Sequence, residues 1–209
     1  PDKSIPKGTV AIGLQPVVNF TKKRSKFGIG GGSNTLSTNR LGMGLQGRYY
    51  VAKNFGIQAI VSYMRLSDVS DFNNGTSTSK ISGLDFSIGL DKPTLLFAFV
   101  KGGAVFLTPQ VRADVFTGKS TTTNSNSNNT TKRDATGFQL GAFLGTEWFT
   151  KALGVPQLTL QATVGLAGFT NSDIGGNEAK TTWVFQPNNP QPGGLNMLNA
   201  TFGFHYYFF

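Results

Sequence analysis

Apolar and polar side chains alternate at every second residue along most of this chain. In one stretch Ile57, Val61 and Tyr63 fall on one side, while Gln58 and Ser62 fall on the other. Period-two alternation indicates β-strands whose two faces meet different surroundings. It recurs over eight segments, which are residues 8–20, 39–52, 55–66, 80–90, 95–108, 135–149, 157–168 and 201–209. The pattern therefore predicts an all-β chain of eight strands.

Composition agrees with strands and loops rather than helices. Gly accounts for 27 of the 209 residues and Phe for 18, whereas Glu occurs only at Glu147 and Glu178. Helix-rich domains depend on Glu, Leu and Ala, so this composition favours strands. Because all-β domains commonly reach this length, we predict a single domain over residues 1–209.

The two faces of the predicted strands indicate which one lines the interior. One face is aliphatic or aromatic, and the opposite face collects Gly, Gln, Thr and charged residues. A soluble barrel of the lipocalin type would turn the apolar face inward and leave the glycines in solvent, where Gly weakens a strand. Glycines that line a narrow lumen leave room for large neighbours instead. The sequence therefore predicts an eight-stranded antiparallel up-and-down transmembrane β-barrel.

The predicted connections alternate between short and long. The links at 53–54, 91–94 and 151–156 are short, whereas those at about 21–38, 67–79, 112–134 and 169–194 are long and polar. Outer-membrane barrels have short turns at the periplasmic end and longer loops outside the cell. We therefore expect four extracellular loops and a short periplasmic segment at residues 1–7. The chain starts at Pro1 without Met, so we take it as a form whose export signal has been removed.

The C-terminal nine residues carry a more specific pattern. Phe202, Phe204, Tyr206 and Phe208 share one face, as the aromatics at the membrane interface of a barrel do. The string polar-x-Gly-x-x-aromatic-x-aromatic, formed by Thr201, Gly203, Tyr206 and Phe208, resembles the C-terminal signal that the barrel-assembly machinery recognises. That signal usually ends one residue earlier, and Phe209 is the departure.

With its eight predicted strands the whole chain resembles the small OmpA/OmpX type of outer-membrane protein. The resemblance implies a Gram-negative bacterial outer membrane as the location and outer-membrane lipids, including the outer-leaflet glycolipid, as neighbours. It also implies the barrel-assembly machinery as a partner during biogenesis. Only the C-terminal signal carries the resemblance at the level of single residues.

Four charged residues are predicted to face the lumen, namely Arg48, Asp85, Lys101 and Glu147. A hairpin centred near Pro93 would place Asp85 directly opposite Lys101. One interpretation is a salt-bridge gate that admits ions, and the other is a static polar plug. Barrels of eight strands have interiors just wide enough to be filled by side chains, which favours the plug.

The sequence offers little to support catalysis, a metal or a cofactor. It has no Cys, and its one histidine, His205, lies near the predicted periplasmic end, where a hydrogen bond inside the barrel is the favoured role. No Asp, Glu and His residues have metal-ligand spacing. Residues 28–32 are Gly-rich, but no helix pattern or phosphate-binding Lys follows them, so we interpret them as a flexible loop. We expect no enzymatic activity and no cofactor.

Basic residues exceed acidic ones by a formal net charge of +9. They do not alternate with exposed aromatics along one element, so nucleic acid is not an expected partner. A cluster of Lys22, Lys23, Arg24 and Lys26 predicts contact with glycolipid phosphates or with an acidic partner, or else a solvated loop, and the sequence leaves these open.

Two further segments fall within the predicted loops. The low-complexity segment 121–131 is expected to be mobile. The Pro-rich segment 186–194 is expected to be stiffer and to present Trp183 and Phe185 to a partner.

The sequence thus favours an outer-membrane barrel with a structural or interaction role. Such a barrel would display its extracellular loops or act as an accessory subunit beside other outer-membrane proteins. A small channel or transporter gated by lumen salt bridges is the alternative, and a lipid-modifying enzyme is less favoured.

Overall fold

A computed structural model describes residues 4–26, 33–72, 75–98, 104–125, 129–149, 157–184 and 200–208. Over these residues the chain is an all-β antiparallel structure of ten strands. They are β1 (Val10–Lys26), β2 (Ser33–Ala52), β3 (Phe55–Phe72), β4 (Gly75–Asp91), β5 (Thr94–Ala98), β6 (Ala104–Asn124), β7 (Asn129–Phe149), β8 (Leu158–Ile174), β9 (Asn177–Val184) and β10 (Ala200–Phe208). Within the described ranges no helix is long and apolar enough to cross a membrane.

Eight of these strands form a ring. Each neighbour pairs antiparallel with the next in the order β1, β2, β3, β4, β6, β7, β8 and β10, and β10 pairs back onto β1. The closing pairs run from Val10 opposite Phe208 to Leu14 opposite Phe204. The predicted number of strands around the ring is therefore confirmed, and the arrangement is compatible with a β-barrel.

Two shorter strands lie outside this ring order. Strand β5 pairs with the beginning of β6, and β9 pairs with the last part of β8, from Ala167 opposite Val184 to Ile174 opposite Asn177. Strand β10 takes the first part of the same edge of β8, from Tyr206 opposite Leu158 to Ala200 opposite Val164. Strands β9 and β10 therefore follow one another along one edge of β8.

The hairpin predicted about Pro93 is wrong. Strand β4 pairs with β6, in a register that places Asp91 opposite Gln110 and Asp85 opposite Phe116 rather than Lys101. The predicted strand 95–108 is divided, because Thr94–Ala98 and the residues from Ala104 onward belong to two different strands. Lys101 itself lies outside the described residues.

Strands extend far into the segments predicted as long loops. Most of segment 112–134 belongs to β6 and β7, whose pairing reaches Asn124 opposite Asn129. Segments 21–38, 67–79 and 169–194 are likewise entered by β1 and β2, by β3 and β4, and by β8 and β9. Thr-rich segments have good strand propensity, and continuing two paired strands needs backbone hydrogen bonds rather than an apolar core. We call the paired part from Gly118 to Ala135 the β6–β7 extension.

The same pairing revises the predicted mobile segment 121–131. Its residues 121–124 and 129–131 are paired strand residues, and the hydroxyls of Thr123 and Thr130 lie 3.4 Å apart. Residues 28–32, 126–128 and 186–194 lie outside the described residues, as do the side chains of Lys22, Lys23, Arg24, Lys26, Trp183 and Thr201. The backbone of Lys22 to Lys26 pairs with β2.

The two faces of the ring have opposite character. Outward side chains are apolar, and Leu84, Phe86, Ile88, Phe202, Phe204 and Phe208 are all exposed as predicted. Most buried side chains facing inward are polar, and several glycines, among them Gly13, Gly44, Gly89 and Gly145, are buried among them. The predicted assignment of the two faces is confirmed for these residues.

Candidate functional site: a buried polar interior

The interior of the ring is organised around Arg48, which projects from β2 and is 2% exposed. Its Nε atom lies 2.8 Å from Asp91 Oδ2 on β4, and its Nη1 atom lies 2.9 Å from Glu147 Oε2 on β7. Nη2 donates to Gln161 Oε1 on β8 at 3.2 Å. One guanidinium thus joins four strands of the ring, which suits the fixed fork of donors that Arg provides.

Glu147 is fully buried, and its second oxygen is also engaged. Oε1 accepts hydrogen bonds of 2.7 Å from the hydroxyls of both Thr159 and Tyr207. Tyr207 in turn accepts from Arg48 Nη1 at 2.9 Å and lies 3.1 Å from the hydroxyl of Tyr50. A buried carboxylate is tolerated only when a cation and hydrogen-bond donors surround it, and here both are present.

A ladder of glutamines continues from this cluster along the interior. Gln46 Nε2 donates to Gln58 Oε1 at 2.6 Å, and Gln58 Nε2 donates to Gln110 Oε1 at 3.2 Å. His205 Nε2 lies 2.7 Å from Gln46 Oε1, and His205 Nδ1 lies 3.6 Å from Glu147 Oε1. His205 is 1% exposed. It is therefore a member of the interior network, as its predicted hydrogen-bonding role requires.

A second cluster lies farther from the chain termini. Arg112 Nε is 2.9 Å from Asp114 Oδ1, and Gln139 Nε2 donates to Asp114 Oδ2 at 3.2 Å. The guanidinium of Arg112 also stacks over the Phe143 ring, 4.1 Å from its centroid. Such a cation–π contact strengthens when both groups are shielded from water.

Asp85 belongs to this second region but has weaker partners. Its Oδ2 atom accepts from Ser62 and Ser87, each at 3.4 Å, while its buried Oδ1 atom has no hydrogen-bond partner among the described residues. Asp85 is therefore hydrogen-bonded by hydroxyls, and the charges of Asp114 and Arg112 act on it with opposite signs.

Apolar side chains lie at both ends of the polar interior. At the end near the termini, Ile5, Ala11, Tyr50 and Tyr207 pack together against Phe149. Ile5 is fixed there because its backbone N–H donates to Asn54 Oδ1 at 2.6 Å and its carbonyl accepts from Asn54 N at 3.0 Å. At the other end, Ile81, Phe116 and Ala135 form a cluster with Met64, Leu66 and Ile174. The polar network thus lies between two apolar clusters.

The structure brings together only part of the predicted lumen set. Arg48 and Glu147 form one ion pair, Asp85 lies in a separate cluster, and Lys101 lies outside the described residues. Of the residues in the predicted assembly signal, Gly203 is buried while Tyr206 and Phe208 are exposed on the outer face. The backbone of Thr201 pairs opposite Thr163.

Several interior residues were missed by the sequence analysis, chiefly Asp91, Arg112 and Asp114. Asp91 was assigned to a turn, and the other two were assigned to a loop. A usable signal was present, since Gln110, Arg112 and Asp114 alternate with Val111, Ala113 and Val115. Reading this alternation by itself, rather than continuing the one that placed Lys101 in the lumen, would have put Gln110, Arg112 and Asp114 inside the ring.

Among the residues that the structure describes, no group of three or more His, Cys, Asp and Glu side chains is arranged to hold a metal ion. In comparisons with known proteins, no family model matches this chain, and no curated protein matches it in sequence.

Proposed function

We propose that this chain is an eight-stranded transmembrane β-barrel of the bacterial outer membrane with a structural or interaction role. The observation that carries the proposal is the inversion of polarity between the two faces. Large apolar side chains are exposed around the ring, whereas Arg48, Glu147 and the glutamine ladder are buried inside it. In water this arrangement would expose the groups that gain most from burial, but in a bilayer it places them against lipid.

The exposed apolar side chains form continuous rows across strands. Val61, Phe86, Val115 and Phe138 stand opposite one another on four adjacent strands and are 46%, 45%, 51% and 41% exposed. Leu45 lies opposite Val61, so the same row continues through Leu14 to Phe204. Soluble monomers rarely expose contiguous apolar patches larger than a few hundred Å², roughly 300–600 Å² at most. A lipid environment accounts for these rows.

The height of the apolar surface also suits a bilayer. On β2 the outward side chains are apolar from Leu41 to Tyr49, apart from Gly47. On β3 they are apolar from Phe55 to Tyr63, and the next outward residue is Arg65. A tilted membrane strand needs about 9–11 residues, which these segments supply.

The bonded polar interior supports a structural or interaction role rather than a channel. Arg48 is paired with Glu147, the glutamine ladder is hydrogen-bonded, and the apolar clusters containing Tyr207 and Phe116 lie on either side of them. His205 is enclosed in the network, which disfavours its use as a general base on an external lipid. Recognition would then fall to the outer surface and to the strand extensions. The proposed partners are outer-membrane lipids, the barrel-assembly machinery during biogenesis and other outer-membrane proteins.

Quenching of tryptophan fluorescence by lipids brominated on their acyl chains tests the membrane proposal. The chain has two tryptophans, and Trp148 is 56% exposed on the outer face. In the W183F variant, reconstituted in phosphatidylcholine vesicles, we expect strong quenching of Trp148. The matched control is K119W in a W148F/W183F background, since Lys119 lies beyond the apolar rows on β6. Equal quenching at both positions, or none at Trp148, would contradict the proposed orientation of the apolar surface.

Two measurements separate the interaction role from the channel alternative. Purification from native membranes in a mild detergent, with the β6–β7 extension intact or removed, should show companion proteins whose recovery depends on the extension. In planar bilayers we expect no steady ion current. A stable current that changes in R48M would favour the channel instead.

A further inference from the structure

We propose that four outward cations, Arg65, Lys80, Lys119 and Lys132, form a binding site for the phosphate of a lipid headgroup. We call this set the cation patch. The inference rests on the proposed membrane orientation and deepens it by naming a surface and the chemistry that the surface recognises. It concerns a different wall of the ring from the cluster of Lys22 to Lys26, which lies on β1.

The pairing register brings the four cations together. Arg65 on β3 lies opposite Ser82, two residues from Lys80 on β4. Lys80 lies opposite Thr121, two residues from Lys119 on β6. Lys119 lies opposite Asp134, two residues from Lys132 on β7. Each cation is thus a diagonal neighbour of the next on the adjacent strand, a separation of roughly 7–8 Å.

The residues around these cations also suit an anion. The two cross-strand rows that hold the patch contain the hydroxyls of Ser67, Ser82 and Thr121, and one carboxylate, Asp134. Arg65, Lys80, Lys119 and Lys132 are all exposed. The four cations face one carboxylate, Asp134 opposite Lys119, so the patch keeps an excess of positive charge that attracts an anion. Phosphate provides several acceptor oxygens that lysine ammonium groups and an arginine fork can share.

The position of the patch selects a lipid as the source of that phosphate. Directly below it on β3 and β4 stand Tyr63 and Leu84, which pair across the strands, and below them the apolar row that contains Val61 and Phe86. Successive outward residues on one strand are about 6.6 Å apart, so the cations begin where the apolar surface ends. Lysine can also lay its alkyl stem along an apolar surface while its ammonium reaches the headgroup level.

Lys180 on β9 provides a matched control on the same outer face. Its Nζ atom lies 3.3 Å from Glu178 Oε1, and both side chains are more than half exposed. Glu178 lies beyond the apolar rows. Its pKa is lowered chiefly by a hydrogen bond from Asn171, and further by the hydrogen bond and the charge of Lys180. The charge of Lys180 is therefore already balanced within the protein.

Native mass spectrometry from a non-ionic detergent tests the site with three probes, which are phosphatidic acid, phosphatidylcholine and inorganic phosphate. We expect the wild type to retain phosphatidic acid in preference to phosphatidylcholine. The K80S/K119S/K132S variant should bind phosphatidic acid on the order of 100-fold more weakly, since each lysine near an anionic headgroup contributes roughly fivefold. The K180S variant should match the wild type. Added salt should weaken wild-type binding because exposed charges are screened.

Two outcomes overturn the site. One is undiminished retention of phosphatidic acid by the triple variant, and the other is inorganic phosphate binding as tightly as the lipid. Folding of the triple variant is checked by its heat-dependent mobility on detergent gels and by quenching of Trp148. If Trp148 in the W183F variant is not quenched by brominated lipid, the membrane proposal itself fails. If it is quenched and the triple variant still retains the lipid, only the cation patch fails.

Discussion

Arg48 and Glu147 are 99 residues apart in the chain, yet Arg48 Nη1 and Glu147 Oε2 lie 2.9 Å apart inside the ring. Strands β2 and β7 do not pair with each other, so this contact crosses the interior rather than following the sheet. Removing one member leaves the other charge buried without its counterion, which is far more costly than losing an exposed pair.

The first prediction concerns this pair. E147Q keeps the size of the side chain but removes its charge, and we expect it to lower the free energy of unfolding by about 3–5 kcal/mol. Urea unfolding of the protein in phosphatidylcholine vesicles, followed by tryptophan fluorescence, measures the change. The control is E178Q at an exposed position, where we expect a change within roughly 0.5 kcal/mol. If E147Q changes the free energy of unfolding as little as E178Q does, the buried pair is not important for stability.

The second prediction concerns Asp85, whose carboxylate accepts from serine hydroxyls and experiences both repulsion from Asp114 and attraction to Arg112. D85N removes a poorly compensated charge, and we expect it to raise the free energy of unfolding by about 1–2 kcal/mol. D114N should do the opposite, because Asp114 is paired with Arg112.

The same urea unfolding assay measures both variants. Destabilisation by D85N would mean that attraction between Asp85 and Arg112 outweighs the repulsion from Asp114 and the cost of burying the charge. A D85N/R112M double-mutant cycle would measure the coupling between Asp85 and Arg112 directly.

The sequence predicted the outward and inward faces because those faces differ in polarity. Period-two alternation separates Leu84, Phe86 and Ile88 from Asp85 and Ser87 whatever the strand pairs with. It also placed His205 on the interior side. These assignments need only the difference in polarity between neighbouring residues, because successive side chains of a strand point to opposite faces.

Register and strand length could not be predicted in the same way. The partner of β4 is decided by contacts across the ring, and nothing near Pro93 shows that β5 intervenes before β6. Beyond Gly118 both faces of β6 are polar, so alternation stops although the backbone pairing continues. The pair of Arg112 and Asp114 was missed because the wrongly predicted hairpin ended its second strand at residue 108, which left both residues in a predicted loop.

The third prediction concerns Gly13, which lies opposite His205 where β1 meets β10. A Cβ atom at Gly13 would collide with the His205 imidazole and would come within 2.6 Å of the carbonyl oxygen of Phe204. We expect G13A to lower the free energy of unfolding by about 1–3 kcal/mol, because overpacking displaces His205 from Gln46. Amide hydrogen exchange of β10 should accelerate in the same variant.

Gly47 supplies the matched control for G13A. It is exposed on the outer face, and a Cβ atom there would meet no heavy atom within 4 Å. G47A should leave stability unchanged or raise it by up to about 1 kcal/mol, since Ala reduces the freedom of the unfolded chain. Loss of stability in G47A equal to that in G13A would show that crowding against His205 is not the cause.

The last prediction concerns the β6–β7 extension, whose outer part has no role in the interior. Thr123, Asn124 and residues 129–134 are exposed, whereas Ser120 and Ala135 mark the level at which buried residues begin. Replacing residues 122–131 by Asn-Gly joins Thr121 to Lys132, which are already paired, through a two-residue hairpin turn. The excised residues pair with one another and, at 122–124, with residues 77–79 on β4. Because these pairs lie outside the buried interior, the free energy of unfolding should fall by no more than about 2 kcal/mol. F116A is the contrasting variant, since Phe116 covers the Gly83 and Gly118 pair in the interior, and its loss should cost about 3–5 kcal/mol. If the shortened protein migrates on detergent gels only at the position of the unfolded form, the extension is required for folding.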